Sequence, residues 1–378
     1  MAPRVGFLID RWEPARGGAE RALASLAAHL AGRGWDVRAF GLAASPGAPG
    51  RFEAVAARGL TRSARERALA RALPRAAEEA GCDATVGIRH LERTDLYWPH
   101  GGAHAETLRA RRRSRGRGPG AAVGRHRTFL ALERTLLGRG GARRVACVSE
   151  LVRAELARDY PAASGRLVTV PNGVDLERFH PGLRAAAGAE WRRSQGVAPA
   201  EPLLVLAAGN PLLKGFPALL DALGTLTARR WTLVLAGPRH PRRWERLARR
   251  RGLPAGRVRV LARAEATALW AAADLCVHPT WRDPCSLAVL EALACGTPAV
   301  TTRFNGAAEA LGDPRAGTVI ADPGDAAALA SAVEGWLERI GEGAVDRAAA
   351  RAAVAGRDER RTLASLEALL LELTRTSS

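Results

Sequence analysis

At 378 residues the chain exceeds the length at which a single hydrophobic core keeps growing, so two domains are expected. Its hydrophobic content is 47%, yet no apolar run approaches the roughly 20 residues of a membrane-spanning helix, and MAPRVGFLID reads as the entry to a strand rather than a leader. A net charge of +19 points to acidic partners, although arginine supplies nearly all of it and Lys214 is the single lysine.

Arg4 to Asp10 reads as a buried first strand. The following loop ends in Gly17-Gly18, and a helix from Ala19 to Ala31 carries Leu23, Leu26, Ala27 and Leu30 at helical spacing. A glycine pair between strand and helix allows close backbone approach to a ligand. Asp36 to Leu42 is expected as the second strand, Thr61 to Glu79 as a helix and Cys82 to Ile88 as another buried strand. Leu96 to Trp98 then opens into Pro99-His100-Gly101-Gly102, with His104 beyond. Two histidines beside a flexible turn can face a substrate, but no third ligand at metal spacing accompanies them.

Between Glu106 and Glu133 there is no acid, while Arg109, Arg111, Arg112, Arg113, Arg115, Arg117, Arg125 and Arg127 carry charge, and Gly116 to Gly124 reads as mobile. This stretch is either a solvated charged loop or a contact surface for phosphate groups or an anionic membrane. Nucleic acid ranks third, because aromatics interleaved for base stacking are missing. A helix from His126 to Leu137, a strand from Arg144 to Ser149, a helix from Glu150 to Arg158 capped by Ser149, and a strand from Leu167 to Val170 follow. The phrase PNGVDLERFHP comes next, and the first domain is placed at 1–181.

From Leu203 onward strand and helix alternate: Leu203 to Gly209, Phe216 to Leu226, Trp231 to Gly237, Pro241 to Arg251, Val258 to Leu261 and Glu265 to Ala273. Such alternation implies a parallel sheet covered on both faces. Lys214-Gly215 stands at the start of the first of these helices. It is not a Walker loop, being one residue short and lacking Ser or Thr after the lysine. A short buried run, Leu275 to Pro279, leads into an exposed Thr280-Trp281-Arg282 loop. Asp283 is expected to cap a helix with Pro284 at its first position, ending at Gly296 before a strand from Pro298 to Thr302. The amides of Cys285, Ser286 and Leu287 would then be open to a phosphate. Glu291, eight residues after Asp283, lies in an otherwise apolar helix, where a carboxylate is costly unless paired. A late strand from Gly317 to Ile320, helices at Ala326 to Arg339 and Ala344 to Ala353, and an apolar-faced helix from Leu363 to Leu373 complete the chain. The five cysteines, Cys82, Cys147, Cys276, Cys285 and Cys295, form no C-x-x-C pair, which suits a reducing cytoplasm and argues against zinc.

Acid, seven residues, glutamate, then ALACGTPAV resembles the signature of the family 4 retaining glycosyltransferases. The turn Gly17-Gly18-Ala-Glu-Arg, Lys214-Gly215 and the phrase Pro171-Asn-Gly-Val-Asp resemble three further motifs of that family. The phrases AAADLCVHP, VLEALACGTPAVTT, GTVIADP and HRTFLALER are similar to its lipopolysaccharide-core glucosyltransferases, which move glucose from UDP-glucose to a heptose. The resemblance implies an α/β protein of GT-B fold, two doubly wound Rossmann-like domains facing across a cleft. An acceptor-binding domain would span 1–181 and a nucleotide-sugar domain 182–356, with a helix over 357–378 returning to the first. It implies Asp283 on sugar hydroxyls, Glu291 on the donor ribose, Lys214 on the diphosphate, and Gly17 and Gly18 facing the donor; read from their own places in the chain, His100 is a catalytic candidate and Cys285, Ser286 and Leu287 are donor-contact candidates. The chain departs from the family in three places: aspartate stands at 283 where glutamate is usual, no arginine closely precedes Lys214, and His100-Gly-Gly replaces the glucosyltransferases' own loop. The second cation is then supplied by Arg282 or Arg16, or is absent. No Asp-x-Asp occurs, so no metal or other cofactor is expected. The implied partners are a nucleotide-sugar donor and an anionic or phosphorylated glycolipid acceptor, with the enzyme at the inner face of the cytoplasmic membrane. The alternatives are a nucleotide-sugar epimerase of the same architecture and a non-catalytic sugar-nucleotide-binding subunit.

Overall fold

Parallel strands cannot be joined by tight hairpins, so alternating strand and helix segments build crossovers around buried sheets. The computed structural model, which describes residues 2–116 and 123–375 (of Arg16 the main chain alone), has two such sheets in two units. The first unit comprises Met1–Arg109, Pro119–Asn172 and Arg360–Ser378, and the second Ala110–Gly118 with Gly173–Glu359. These divisions lie at 172/173 and 359/360, against 181 and 356 in the sequence reading.

In the first unit the strands are β1 (Arg4–Leu8), β2 (Arg11–Trp12), β3 (Asp36–Gly41), β4 (Ala43–Ala44), β5 (Arg51–Ala54), β6 (Ala84–Gly87), β7 (Thr94–Tyr97), β8 (Ala142–Cys147) and β9 (Leu167–Thr169). Seven of them form a parallel sheet in the order β5-β3-β1-β6-β7-β8-β9, and β2 pairs with β4 apart from it. Val5, Phe7 and Leu8 of β1 are fully buried, as a strand covered on both faces demands. The helices are α1 (Gly18–Gly32), α2 (Arg62–Glu79), α3 (His104–Arg113, of which Ala110 onward belongs to the second unit), α4 (Arg125–Gly138) and α5 (Glu150–Asp159). Thr61 caps α2 by accepting from the Ala64 amide at 3.0 Å, and Ser149 caps α5 by accepting from Val152 at 3.2 Å.

The second unit carries β10 (Leu203–Ala207), β11 (Thr232–Ala236), β12 (Val258–Leu261), β13 (Leu275–His278), β14 (Ala299–Thr302) and β15 (Gly317–Ile320) in the order β12-β11-β10-β13-β14-β15. Its helices are α6 (Ala189–Ser194), α7 (Phe216–Thr225), α8 (Pro241–Arg250), α9 (Ala266–Ala272), α10 (Leu287–Ala294), α11 (Ala326–Gly341) and α12 (Arg347–Ala352). Leu204, Leu206, Phe216, Leu220, Trp231, Leu233 and Val333 pack into one core. The buried Asp274, just before β13, is compensated by Arg184, by Arg192 at 2.5 Å, by Arg347 at 3.2 Å and by the Leu203 amide at 2.9 Å. The last helix, α13 (Glu359–Arg375), belongs from Arg360 onward to the first unit. There Glu367 Oε2 lies 2.9 Å from His29 Nε2 of α1, and Thr362 donates to the Pro171 carbonyl at 2.9 Å. Among the described residues no helix is long and apolar enough to cross a membrane.

Candidate active site

In the second sheet β10 lies between β11 and β13, so chain order reverses beside the carboxyl end of β13, the place where open α/β sheets hold ligands. The strand end is built tightly. Thr280 and Arg282 are buried and Trp281 is half-buried, where an exposed loop was expected. The reason is hydrogen bonding. The Trp281 amide and the Thr280 hydroxyl both donate to the Leu213 carbonyl, at 2.9 and 3.1 Å, and the Thr302 hydroxyl donates to the Thr280 carbonyl at 2.6 Å. The Lys214 loop is thereby tied to the loop after β13. Gly215 completes the join: its φ is +76°, and a Cβ there would lie 1.9 Å from the Pro279 carbonyl oxygen. Only glycine fits this turn.

That packing brings Lys214 onto Asp283. The ammonium donates to Asp283 Oδ2 at 2.6 Å and to the Arg282 carbonyl at 3.3 Å, and His278 Nε2 lies 3.2 Å from the same Oδ2. Burial alone would raise the Asp283 carboxyl; the Lys214 charge and the His278 contact outweigh it and hold the group well below the usual carboxylate range. Burial likewise pushes the His278 imidazole down, more than Asp283 raises it, so the ring is neutral near pH 7.

Two expectations about this loop need correction. Asp283 does not cap α10, which begins at Leu287 with Ser286 in the cap position, because the Asp283 side chain is committed to Lys214. Its main chain is held instead by the 304–306 segment: Asp283 donates to the Phe304 carbonyl at 2.9 Å and accepts from the Gly306 amide at 3.0 Å. Nor is the Ser286 amide open to a ligand, since it donates to Asn305 Oδ1 at 3.1 Å. Cys285 is buried and Leu287 half-buried beside it. Glu291 sits inside α10 as expected, 7% exposed, and the Trp270 indole donates to its Oε2 at 3.2 Å. That hydrogen bond makes a carboxylate tolerable in an apolar helix.

The first unit holds the other expected residues. Gly18 opens α1 and Gly17 precedes it with φ −175°, an extended conformation that any residue adopts, so the pair does not serve a left-handed turn. His100 stands in the turn after β7 with its ring edge-on to Trp98, centroids 4.2 Å apart. Its Nε2 is enclosed with no partner among the described residues, and burial pushes its pKa down to about 3, which leaves a neutral imidazole. His104 does not accompany it. The His104 amide donates to the buried Glu133 at 2.7 Å, and its Nε2 lies 3.2 Å from His126 Nδ1, inside a cluster with His90 and Phe129 that packs α3 on α4. The arginine run is divided. Arg109 is engaged by Glu106 at 2.9 Å and Asp159 at 2.7 Å, and Arg125 lies over the Phe129 ring. Arg111, Arg113 and Arg115, which belong to the second unit, are exposed at the carboxyl end of α3, whereas Arg117 and most of the 116–124 stretch lie outside the described residues. Of the candidate second cations, Arg282 is buried, with its carbonyl on Lys214, and the Arg16 side chain lies outside those described.

Sequence reading missed His278, Asn305, Trp270 and Thr280. Each lies in or near a motif, yet nothing in spacing announces that His278 will meet an acid five residues on, because the intervening loop folds back.

Residues 16–178 match the family described as Glycosyltransferase Family 4, and residues 202–339 match Glycosyl transferases group 1. Over 324 residues the chain is 26% identical to the lipopolysaccharide glucosyltransferase WaaG of Escherichia coli, covering 84% of this chain and 85% of that protein. Over 218 residues it is 40% identical to D-inositol 3-phosphate glycosyltransferase 2 of Catenulispora acidiphila, covering 52% of this chain; the match spans about half of that relative, 49% of its length. The fold superposes on the crystal structure of WaaG with a TM-score of 0.82 at 22% identity, covering 96% and 98% of the two chains. It superposes on the Anabaena protein HepE in complex with UDP-glucose with a TM-score of 0.74 at 19% identity, covering 98% and 99%. With a family match in each half and parallel-sheet units of the GT-B type, the chain belongs to the family 4, group 1 glycosyltransferases.

Proposed function

We propose that this glycosyltransferase moves a hexose, glucose from UDP-glucose, to a lipid-linked or lipopolysaccharide-core sugar acceptor, with retention of anomeric configuration and without a metal. The observation that carries the reading is the half-buried Lys214 ammonium, held against Asp283 beside the carboxyl end of β13 and near the start of α10. A compact cation beside a helix N-terminus suits the charge that develops on a departing nucleotide diphosphate. In this reading Asp283 meets sugar hydroxyls, Glu291 the ribose, and Gly17, Gly18, Cys285 and Leu287 line the donor. His100, a neutral imidazole, is assigned to the reacting sugar. The acceptor hydroxyl attacks the anomeric carbon on the face from which the diphosphate leaves. The new C–O bond forms as the sugar–phosphate bond breaks, the bonding pair goes to the diphosphate oxygen, and the hydroxyl proton passes to that oxygen. Similarity to a lipopolysaccharide glucosyltransferase along most of both chains supports the acceptor class. The exposed arginines of α3 support an anionic surface, the inner face of the cytoplasmic membrane, as the place of work.

A second reading takes a small phosphorylated polyol as acceptor, favoured by the 40% identity to a D-inositol 3-phosphate glycosyltransferase. The test is release of UDP from UDP-glucose with lipopolysaccharide core, with D-inositol 3-phosphate, and with no acceptor. Release dependent on the core, with an α-linked product by NMR, supports the first reading, and release dependent on the inositol phosphate supports the second. A new nucleotide sugar formed without acceptor would identify an epimerase, and donor binding with no turnover under any condition a binding subunit.

A further inference from the structure

We infer that His278 is the positioning residue of the donor site: it anchors one oxygen of Asp283, so that Lys214 rests on that oxygen and the other is presented to a sugar hydroxyl. The inference rests on the donor-site reading above. His278 is the last residue of β13, paired with Thr301 of β14, whose hydroxyl donates to the His278 carbonyl at 2.8 Å. Its main chain is therefore held by Thr301, and its side chain is 1% exposed. Nε2 lies 3.2 Å from Asp283 Oδ2, and Nδ1 is enclosed with no partner among the described residues.

A neutral imidazole carries one N–H. Placing it on Nδ1 would set the Nε2 lone pair against a carboxylate oxygen and leave a buried donor unused. Placing it on Nε2 makes a charge-assisted hydrogen bond and leaves a bare acceptor, so the ring donates to Asp283. Both His278 and Lys214 contact Oδ2, whereas Oδ1 receives no hydrogen bond from the described residues and is not enclosed. The carboxylate is held by one oxygen and open at the other.

That division has a consequence when a diphosphate arrives. Lys214 must share its charge with the new anion, and an aspartate held by the ammonium alone would swing with it. A neutral donor on a rigid strand end keeps the carboxylate still and brings no second cation to compete for the diphosphate. It also suits the shorter aspartate, whose carboxylate stays close to the strand end.

The chain's single lysine makes the arrangement readable without turnover. Lysine labelled with carbon-13 at Cε should show one protein signal, which reports the Lys214–Asp283 pair. In His278→Gln, whose side-chain amide can still donate to Oδ2, that signal and kcat at saturating donor should stay close to wild type. In His278→Leu the signal should move and kcat fall by about tenfold or more, while the Kd for UDP changes by less than about threefold. An unmoved lysine signal in the leucine variant would overturn the inference. So would a glutamine variant as impaired as the leucine variant at equal thermal stability, since only packing would then be at stake. If the leucine variant does not fold, His278→Asn, too short to reach Oδ2, takes its place with the same expected outcomes. Absence of turnover with every acceptor would refute the proposed function, yet the lysine signal would still decide the role of His278.

Discussion

Lys214 and Asp283 are 69 positions apart in the chain, and the ammonium of one sits 2.6 Å from Oδ2 of the other. The two loops that carry them are laced together through the Leu213 carbonyl, so this pair is a designed join between the first and fourth strands of the second sheet rather than a chance surface contact. Removing either partner leaves a largely buried charge uncompensated, which is strongly destabilising.

Lys214→Arg retains charge but replaces a point-like ammonium with a planar fork that does not fit the same pocket. Turnover with UDP-glucose is expected to drop in Lys214→Arg and further in Lys214→Ala. Wild-type kcat in the arginine variant would make the lone lysine an accident of composition.

Glu291→Gln keeps the shape of the side chain and its bond from the Trp270 indole while discarding the negative charge. Loss of a charged acceptor for ribose hydroxyls should weaken donor binding by about 1.5–3 kcal/mol. Calorimetric titration with UDP reads this directly, and an unchanged Kd in a folded variant would take Glu291 out of the site.

A chelator should leave turnover intact if the diphosphate is neutralised by Lys214 and main-chain amides. Activity abolished by EDTA and restored by a divalent ion would refute that part of the proposal.

Acid should destabilise the fold through His100. Its folded pKa is depressed from 6.5 to about 3, so below pH 6.5 the unfolded chain takes up a proton that the native chain refuses. Stability is therefore fully present above pH 6.5 and is lost as pH falls towards 3, by at most about 1.4 kcal/mol per pH unit. Asp283 acts in the same direction lower down, its contribution being present above pH 3.8 and lost beneath it. His100→Gln should flatten the fall in thermal midpoint between pH 6.5 and 5, and equal slopes in both proteins would mean that the imidazole protonates freely in the native state.

Replacing Arg111, Arg112, Arg113 and Arg115 with glutamine should lower binding to anionic vesicles, each arginine near the surface adding about 1 kcal/mol. The difference should shrink as salt is added. Donor affinity should not follow. Equal vesicle binding by wild type and variant would return this stretch to a solvated charged surface.

Much of the architecture was legible in the residues themselves. Apolar runs such as Leu203–Ala207 and Leu275–His278, separated by helices with caps like Thr61 and Ser149, specify strands and helices through period and capping alone. The identity of Lys214, Asp283 and Glu291 as residues of interest was also readable, because each is costly or rare where it stands. Their partners were not. Asp283-Pro284 satisfies every local rule for a helix start, yet the long-range attraction of Lys214 draws the side chain away and moves the start to Leu287. His104 follows His100 by four positions, but the buried Glu133 takes its amide while the His100 ring turns against Trp98. His278 resembles any apolar strand's last residue until the loop after it folds back and sets a carboxylate 3.2 Å away. Local sequence determines period, caps and turns because those energies act within a few residues, whereas the pairing of buried charges is decided only when the packed sheet brings distant loops to the same strand end.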